Sequence, residues 1–366
     1  MKIPLVDLKR RYESIKEDID LGIKRVIENT SFINGEDVKL FEQEFAAYSG
    51  KRYGIGCANG TAALQLALEA LGIGEDDEVI TVPNTFIATS EAIGHVGAKV
   101  KFVDVDEKTM LIDPDALEKA IGPRTKAIIP VHLYGQMADM KKIMAIAKKH
   151  NLKIIEDCAQ AHGAEQNGKK APHGDIGCFS LFPAKIIGAF GDAGIIVTDN
   201  EKIAKKIKML TDHGRIDKYN SKFEGHNHRL DTIQAAILRP QLKKLNDWVN
   251  RRREIANMYY NLLKDTVDTP YEQEGNKHAY YMYVIKFKNR DALMEKLKHR
   301  SIATGIHYPT PLHLQPAYSH LNLKEGSFPN AEKSAKEILS LPMFPEMTDE
   351  EVRYVAEQVT NAVNHK

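Results

Sequence analysis

The sequence has little cysteine, no long apolar run and no sign of a secreted protein. Its three cysteines, Cys57, Cys158 and Cys178, lie far apart without a CxxC spacing, which argues against a zinc knot or a disulfide framework and favours a reducing compartment. No window approaches the roughly 18 apolar residues of a membrane span. The opening stretch MKIPLVDLKRRYESIKEDID lacks the apolar run of a signal peptide. We therefore expect a soluble, cytoplasmic protein with no membrane segment.

The chain of 366 residues also lacks an excess of charge of either sign. It has 51 Lys and Arg residues against 50 Asp and Glu residues, a formal net charge of +1. Its basic runs are short and recur at helical spacing, as on a solvated helix face. No global field would then recruit nucleic acid or an anionic membrane, and we expect neither as a partner.

A dinucleotide-binding fingerprint is missing as well. Gly54 and Gly56 begin a GxGxxG pattern, but the third glycine is Gly60, one residue too late. The acids at 75–77, where the pattern would need one, fall in a loop and not at the end of a strand. The pattern gives only weak support to a nucleotide cofactor.

What the chain does have is a regular alternation of short apolar segments and helical segments over residues 53–160. This alternation predicts a mostly parallel sheet with helices on both faces, which is an α/β fold. Residues 7–28 predict one amphipathic opening helix. The pattern changes near residue 240, where a long amphipathic helix leads to a second set of strands and helices. We predict a large ligand-binding domain over 1–240 and a smaller α+β domain over 241–366.

Ligands of such sheets bind outside the carboxyl ends of the strands. After the first strand, Asn59-Gly60-Thr61 opens a helix whose free backbone amides form an anion site. Ordinary helix capping by Asn59 or Thr61 is the alternative. Phe86 follows the next strand, either as a core residue or stacked on a planar ligand.

Asp157 ends the apolar segment LKIIED. A carboxylate at the end of a buried strand is costly unless it meets a cation or several hydrogen-bond donors. A protonated pyridine nitrogen would be one such cation. The alternative is an aspartate that caps the turn after the strand.

Lys185 lies in the apolar, glycine-rich stretch FSLFPAKIIGAFGDAG. Its head group either reaches water while its stem covers apolar surface, or it is held neutral so that its nitrogen attacks a carbonyl carbon. The candidate ligand-binding residues are of four kinds: an anion site (Gly60, Thr61, Ser180), an aromatic ring (Phe86), a buried acid (Asp157) and an amine (Lys185). Pyridoxal phosphate needs all four, because it has a phosphate, a flat ring, a basic ring nitrogen and an aldehyde.

The chain resembles the pyridoxal-phosphate-dependent nucleotide-sugar aminotransferases of the DegT/DnrJ/StrS family, which have the aspartate aminotransferase fold, type I. The resemblance runs over nearly the whole chain, through PLVDLKRRY, CANGTAALQLAL, VPNTFIATSEAI, VHLYGQMADM, IIEDCAQAHGA, FSLFPAKIIGAFGDAG, GHNHRLDTIQAAIL, HYPTPLHLQPAY and SLPMFPEMTDEEV. It implies that the large domain over 1–240 binds the cofactor.

The resemblance also implies roles for single residues. Lys185 would form the internal Schiff base, Asp157 would pair with the ring nitrogen, and both would be catalytic. Gln160 would hydrogen-bond the ring hydroxyl and Phe86 would stack on the ring. The phosphate would be held by Gly60, Thr61 and Ser180.

Further implied roles concern the substrate and the partner subunit. Asn227 would reach the phosphate of the neighbouring subunit, so that a homodimer is the minimal active unit. His307 and Tyr308 would lie near the nucleotide sugar, and L-glutamate would be the amino donor. Arg229 could meet a uronic-acid carboxylate or a pyrophosphate.

The chain departs from the family pattern at two places. Ile186-Ile187 follows the lysine where an aromatic residue or asparagine is usual, and the usual GYNYRLD is here GHNHRLD. His226 and His228 could alter the sugar pocket, but a spacing of two on a loop is weak evidence for a metal, and we expect none.

The turn GAFGDAG after the lysine resembles that of family members acting on 3-keto sugars, whereas those acting on 4-keto sugars tend to have TTGEGG. We therefore expect amination at C-3, with a 6-deoxyhexose on dTDP favoured and a UDP-linked 3-keto-hexuronate or a 4-keto sugar left open. The alternative is that Asp192 only satisfies the glycine turn and says nothing about the substrate.

Two rival functions remain. A sugar-deoxygenating dehydratase of the same fold has histidine in place of the Schiff-base lysine, so the presence of Lys185 argues against it. A non-catalytic regulator that binds pyridoxal phosphate stays open, although Lys185, Asp157 and Gln160 are all present.

Overall fold

A computed structural model describes residues 1–364, so the last two residues of the predicted 241–366 domain lie outside the described part. The α-helices are α1 (Leu8–Ser14), α2 (Lys16–Glu28), α3 (Glu36–Tyr48), α4 (Gly60–Ala70), α5 (Ala88–His95), α6 (Pro114–Ala120), α7 (Met140–His150), α8 (Glu201–Thr211), α9 (Thr232–Leu263), α10 (Arg290–His299), α11 (Pro329–Glu337) and α12 (Asp349–Asn364). Within residues 1–364, none of the helices is both long and apolar enough to cross a membrane.

The strands form one large sheet and two small ones. They are β1 (Tyr53–Cys57), β2 (Glu78–Thr81), β3 (Lys99–Phe102), β4 (Thr125–Ile128), β5 (Lys153–Asp157), β6 (Glu165–Gln166), β7 (Lys169–Lys170), β8 (Ile176–Ser180), β9 (Gly194–Thr198), β10 (Asn276–Lys277), β11 (Tyr283–Lys286) and β12 (Ile338–Leu341). The large sheet has the order β1-β9-β8-β5-β4-β2-β3. Only β9 runs against its neighbours, which confirms the predicted mostly parallel sheet.

Helices cover both faces of this sheet, as the alternation of segments predicts. Val197 of β9 belongs to one buried apolar cluster and its neighbour Ile196 to another, because successive side chains of a strand point to opposite faces. The side chains in the middle of these strands are buried, and the polar side chains lie at the ends of the strands. β1, β2, β5 and β8 end at the same edge of the sheet, and the loops that follow them converge there.

The C-terminal part is a smaller α+β unit. β11 and β12 pair antiparallel, and α10 and α12 pack with them around a third buried cluster that includes Tyr259, Tyr283 and Phe344. α9 leads into this unit and contains Pro240 in its interior, so the helix continues across residue 240. The division into 1–240 and 241–366 stays a prediction.

The opening segment differs from the single helix predicted over 7–28. α1 and α2 meet at Ile15, whose backbone has φ −139° and ψ 24°, outside the helical region. Arg11 and Ile15 are four residues apart, which is the spacing of one helix face, and both side chains are buried. The Ile15 amide donates to the Tyr12 carbonyl at 3.1 Å, a three-residue spacing that ends α1. The apolar periodicity continues across this position, so the sequence alone does not reveal the break.

Candidate active site

A cavity of about 740 Å³ opens at the strand-end edge of the large sheet. Its lining includes most of the predicted site residues: Gly60, Thr61, Phe86, Asp157, Gln160, Ser180, Lys185, His307 and Tyr308. Asn227 and Arg229 lie outside this lining. Residues from the loops after β1, β2, β5 and β8 are thus brought together with a segment of the C-terminal unit.

One end of the cavity has the features of an anion site. The Asn59 side chain caps α4 by accepting a hydrogen bond from the Ala62 amide at 2.8 Å, so Thr61 is not the capping residue. A Cβ atom on Gly60 would lie 2.8 Å from the Cβ of Ser180, so only glycine allows this approach. The first turn of α4 therefore meets Ser180 directly, and backbone amides with two hydroxyls are available to a phosphate.

Asp157 lies on the floor of the cavity and is 6% exposed. Its Oδ1 accepts a hydrogen bond from the Ala159 amide at 3.1 Å, which is the turn-capping contact. Its Oδ2 accepts one from the Thr89 hydroxyl at 2.7 Å. The carboxylate is thus a turn cap and, through Oδ2, an acceptor inside the cavity. These two neutral donors leave its charge uncompensated, which suits a cationic ring nitrogen.

Gln160 and the aromatic residues form the walls. The Gln160 Oε1 accepts a hydrogen bond from the Tyr134 amide at 2.6 Å, and its Nε2 lies 3.5 Å from the Tyr308 hydroxyl. Phe86 is 53% exposed, and its ring centroid lies 5.6 Å from that of Tyr308. Phe86 is therefore not a core residue, and its ring is available to a planar ligand.

Lys185 reaches the cavity from the turn after β8. Its backbone amide donates to the Phe182 carbonyl at 2.9 Å, and its Nζ lies 4.8 Å from the centroid of the Tyr281 ring. Within residues 1–364 it forms no salt bridge. An amine without a carboxylate partner, partly buried against an aromatic face, is available to a carbonyl ligand.

His307 and Tyr308 also line the cavity. The His307 Nδ1 lies 2.8 Å from the Ser340 hydroxyl, and the Tyr134 hydroxyl donates to the His307 carbonyl. Burial, and next the charge of Lys185, lower the pKa of His307 to about 4. The imidazole is neutral at pH 7 and provides a hydrogen-bonding group without a charge.

Arg229 and Asn227 lie beside the cavity. The Arg229 Nη1 donates to the Asp212 Oδ1 at 2.6 Å, so its charge already has a partner. Asn227 is exposed. Between them in sequence, His228 lines the cavity and stacks on His226, with ring centroids 4.9 Å apart.

Three residues of the site were not predicted, because the sequence around them does not indicate a functional role. Thr89 binds Asp157, Tyr281 contacts Lys185, and Arg11 donates from Nη1 to the Lys185 carbonyl at 2.6 Å. Each belongs to an element distant in sequence from its partner. Only the three-dimensional structure brings them to the site.

A buried trio of metal-ligand types, His132, Glu156 and Cys158, lies behind the sheet edge. The Glu156 Oε2 lies 2.6 Å from the His132 Nε2, and its Oε1 accepts the His173 amide at 2.6 Å. The His132 Nδ1 accepts the Ala138 amide at 3.1 Å. The ligand atoms of His132 and Glu156 are occupied by protein partners, so the trio supports structure and gives no reason to propose a metal.

Buried histidines should make the protein sensitive to mild acid. Burial is the first cause that lowers the pKa of His162 and of His278 to about 3, and of His307 to about 4. An unfolded chain takes up these protons below pH 6.5 and the folded protein does not, so stability falls as the pH decreases from 6.5 towards the folded pKa values. Because of each histidine, the free energy of unfolding should decrease by about 2 kcal/mol between pH 7 and pH 5.

Urea unfolding at the two pH values measures this loss. His162→Phe is the matched variant, because His162 packs between Phe45 and Phe179 and its ring nitrogens have no hydrogen-bond partner among residues 1–364. The variant should lose less stability between pH 7 and pH 5 than the wild type. Equal losses would show that His162 is protonated in the folded protein.

Comparisons with known proteins agree with the geometry of the site. The model of the DegT/DnrJ/EryC1/StrS aminotransferase family matches residues 13–360. A pleiotropic regulatory protein of Geobacillus stearothermophilus is 47% identical over 100% of both chains. A UDP-N-acetyl-3-dehydro-alpha-D-glucosamine 3-aminotransferase of Acidithiobacillus ferrooxidans is 44% identical, with 97% of this chain and 96% of that protein covered. A dTDP-3-amino-3,6-dideoxy-alpha-D-galactopyranose transaminase of Aneurinibacillus thermoaerophilus is also 44% identical, with 98% of each covered.

Solved structures extend this similarity to the fold. DesV of S. venezuelae, in complex with a ketimine intermediate, superposes with a TM-score of 0.98 at 38% identity and covers 100% of this chain and 99% of its own. NtdA of Bacillus subtilis, with the cofactor PMP bound, has a TM-score of 0.92 at 34% identity and covers 100% and 86%. With the anion site, acid and lysine of one cavity, these matches show that the chain belongs to the DegT/DnrJ/EryC1/StrS aminotransferase family and is a pyridoxal-phosphate-dependent aminotransferase.

Proposed function

We propose that the protein transfers an amino group from L-glutamate to C-3 of a 3-keto sugar nucleotide. The observation that carries the proposal is the cavity in which Lys185, without a salt-bridge partner within residues 1–364, shares a wall with the anion site and Asp157. The relatives from Acidithiobacillus and Aneurinibacillus are named for amino groups at C-3 of nucleotide-linked sugars, which supports the same position here.

Each residue of the cavity has a proposed part in this reaction. Pyridoxal phosphate, when bound, supplies an aldehyde and an electron-accepting ring. The α4 amides with Gly60, Thr61 and Ser180 bind the phosphate, and Phe86 and Gln160 hold the ring. Lys185 would hold the aldehyde carbon, and its amine would move the α-proton of the amino donor, first as a general base and then as a general acid. Asp157 would favour a proton on the ring nitrogen.

The charges of the cavity favour a neutral sugar. Apart from histidines, its lining within residues 1–364 contains one basic side chain, Lys185, beside the acids Glu91, Asp157 and Asp192. Arg229 is paired with Asp212 and is not in the lining, so within residues 1–364 the cavity offers a uronate carboxylate no arginine or lysine other than Lys185. These observations support a neutral sugar, such as the proposed 6-deoxyhexose on dTDP, over a hexuronate, and they do not bear on the choice of nucleotide.

The active unit of the proposal is a homodimer with the sites at the interface. Asn227 is exposed on a loop next to the cavity but does not line it, which is the arrangement expected of a residue that completes a partner's site. Apolar rings near the cavity are also exposed, among them Phe182 at 52% and Phe190 at 50%. A sedimentation measurement that finds a fully active monomer would contradict the dimer.

The proposal places the protein in the cytoplasm, where its three cysteines would stay reduced. Cys57, Cys158 and Cys178 are buried free thiols. The names of some relatives, such as a pleiotropic regulatory protein and a sensory transduction protein, agree with the regulator alternative, but a regulator would not need Lys185, Asp157 and Gln160 arranged in one cavity. A yellow protein whose absorbance bleaches on addition of glutamate is the expected result, and an unchanged spectrum would favour the regulator.

Amination at C-3 is tested with paired 3-keto and 4-keto nucleotide sugars. Asp192 lines the cavity on the turn that begins at Lys185, so the bulk of this turn decides which ring carbon reaches the amine. A displacement of about 1 Å at the reacting centre can cost roughly 100-fold in rate. We expect the 3-keto substrates to be aminated with glutamate and NMR to locate the nitrogen at C-3. Nitrogen at C-4, with the 3-keto substrates untouched, would show that this turn does not select C-3.

A further inference from the structure

The turn that carries Lys185 is held from behind by side chains of two helices. Arg11 of α1 donates from Nη1 to the Lys185 carbonyl at 2.6 Å and to the Pro183 carbonyl at 3.4 Å. The Gln241 amide of α9 accepts from the Gly188 amide at 3.0 Å and donates to the Gly188 carbonyl at 2.7 Å. The backbone of residues 183–188, which includes Lys185, is therefore hydrogen-bonded by Arg11 near its start and by Gln241 at its end.

The Arg11 side chain is buried although few of its donor atoms have hydrogen-bond partners. It is 4% exposed, lies over the Trp248 ring at 5.5 Å, and its Nε and Nη2 have no partner within residues 1–364. Burial lowers the pKa of its guanidinium, and the Glu346 carboxylate opposes this shift. A buried charge with so few hydrogen bonds destabilises the fold relative to an apolar residue of similar size. Its strongest contact is with the Lys185 backbone.

A second buried guanidinium, that of Arg252, binds the backbone of Tyr281, whose ring contacts the Lys185 amine. Arg252 of α9 is 1% exposed and donates from Nη1 to the Tyr281 carbonyl at 3.2 Å. The Tyr281 ring is the one that lies 4.8 Å from the Lys185 Nζ. The backbone of the lysine and the backbone of the ring against which its amine rests are thus both fixed by arginines beneath the cavity.

We propose that Arg11 is a positioning residue for the Lys185 amine, acting through the Lys185 carbonyl. The inference rests on the proposed role of Lys185 in the reaction. Without the guanidinium, the Lys185 carbonyl loses its short external hydrogen bond and the turn gains freedom between Phe182 and Gly188. The amine then spends less time in contact with Tyr281 and at the distance that proton transfer requires. A shift of about 1 Å would be enough for a loss of roughly 100-fold.

Arg11→Met tests the proposal, with Arg10→Met as the matched control. Arg10 is the preceding residue of α1, and its guanidinium binds the Glu351 carboxylate at 2.8 and 2.9 Å, away from the lysine turn. Arg11→Met should lower kcat about 10- to 100-fold with the KM of glutamate changed less than about threefold, because the substrate contacts remain. Arg10→Met should keep the wild-type kcat.

Hydrogen exchange supplies a readout that does not depend on turnover. In the cofactor-free protein, the amides of residues 184–189 should exchange faster in Arg11→Met than in wild type or Arg10→Met, while β5 exchanges equally in all three. If Arg11→Met does not fold, Arg11→Lys replaces it, since it keeps the charge but has a single donor centre in place of the fork. We expect it to have an intermediate kcat.

The outcomes separate this inference from the role of Lys185 itself. Borohydride reduction of the holoenzyme followed by peptide mapping identifies the residue that carries the cofactor. A label on a residue other than Lys185 would overturn the proposed role of the lysine. A label on Lys185, with kcat and exchange in the Arg11 variant equal to those of Arg10→Met, would overturn the positioning role of Arg11.

Discussion

Lys185→Ala is expected to leave cofactor binding intact and to lower turnover by about 10³-fold or more. The anion site formed by α4 and Ser180 is separate from the lysine turn, so the phosphate should still bind. The variant lacks the amine that we propose both to attach the cofactor covalently and to move the α-proton. The visible absorbance of the bound cofactor should shift towards that of the free aldehyde, which a spectrum of the purified variant records.

Lys51→Ala is the control for this experiment. Lys51 is also a largely buried lysine, with its side chain 10% exposed, but its Nζ pairs with Asp199 at 3.2 Å outside the cavity. Its removal should lower thermal stability and leave the spectrum and kcat unchanged. Activity of Lys185→Ala within about tenfold of wild type would assign the proton transfer to a different residue.

The site residues that could be predicted from the sequence are charged residues within apolar segments. Lys185 lies in an apolar glycine-rich segment, and Asp157 ends an apolar strand, where a charge is not expected without a function. The rule that ligands bind at strand ends then places Gly60, Phe86 and Asp157 at one edge, and all three line the cavity. The mostly parallel sheet followed from the alternation of segments in the same way.

What could not be predicted depends on contacts between distant segments. Thr89 and Asp157 are 68 residues apart, and Arg11 lies 174 residues from Lys185. A threonine in a helix and an arginine in an amphipathic segment have no unusual neighbours, so nothing local marks them. The break at Ile15 was not predicted either, because the apolar periodicity of residues 7–28 continues across it.

Asp157→Asn separates the observed turn cap of the Asp157 carboxylate from its proposed pairing with the ring nitrogen. The Oδ1 caps the turn by accepting the Ala159 amide, and an asparagine carbonyl oxygen preserves that bond. The Oδ2 accepts the Thr89 hydroxyl, and an amide nitrogen in its place offers a donor and no charge. The substitution therefore keeps the turn and removes the charge that would hold a proton on the ring nitrogen.

We expect kcat of Asp157→Asn to fall about 100-fold or more in both half-reactions, since a single electrostatic partner in a buried site has an effect of this order. Thr89→Val keeps the charge and removes one hydrogen bond to it, so its loss should be smaller. Asp175→Asn is the matched control, because the Asp175 Oδ2 accepts the Ile154 amide at 2.9 Å near the other end of β5, remote from the cavity. Stopped-flow spectra with glutamate measure the first half-reaction directly. A loss below about threefold would mean that the carboxylate is only a turn cap, and the anionic partner of the ring nitrogen would have to be sought among the other acids of the cavity.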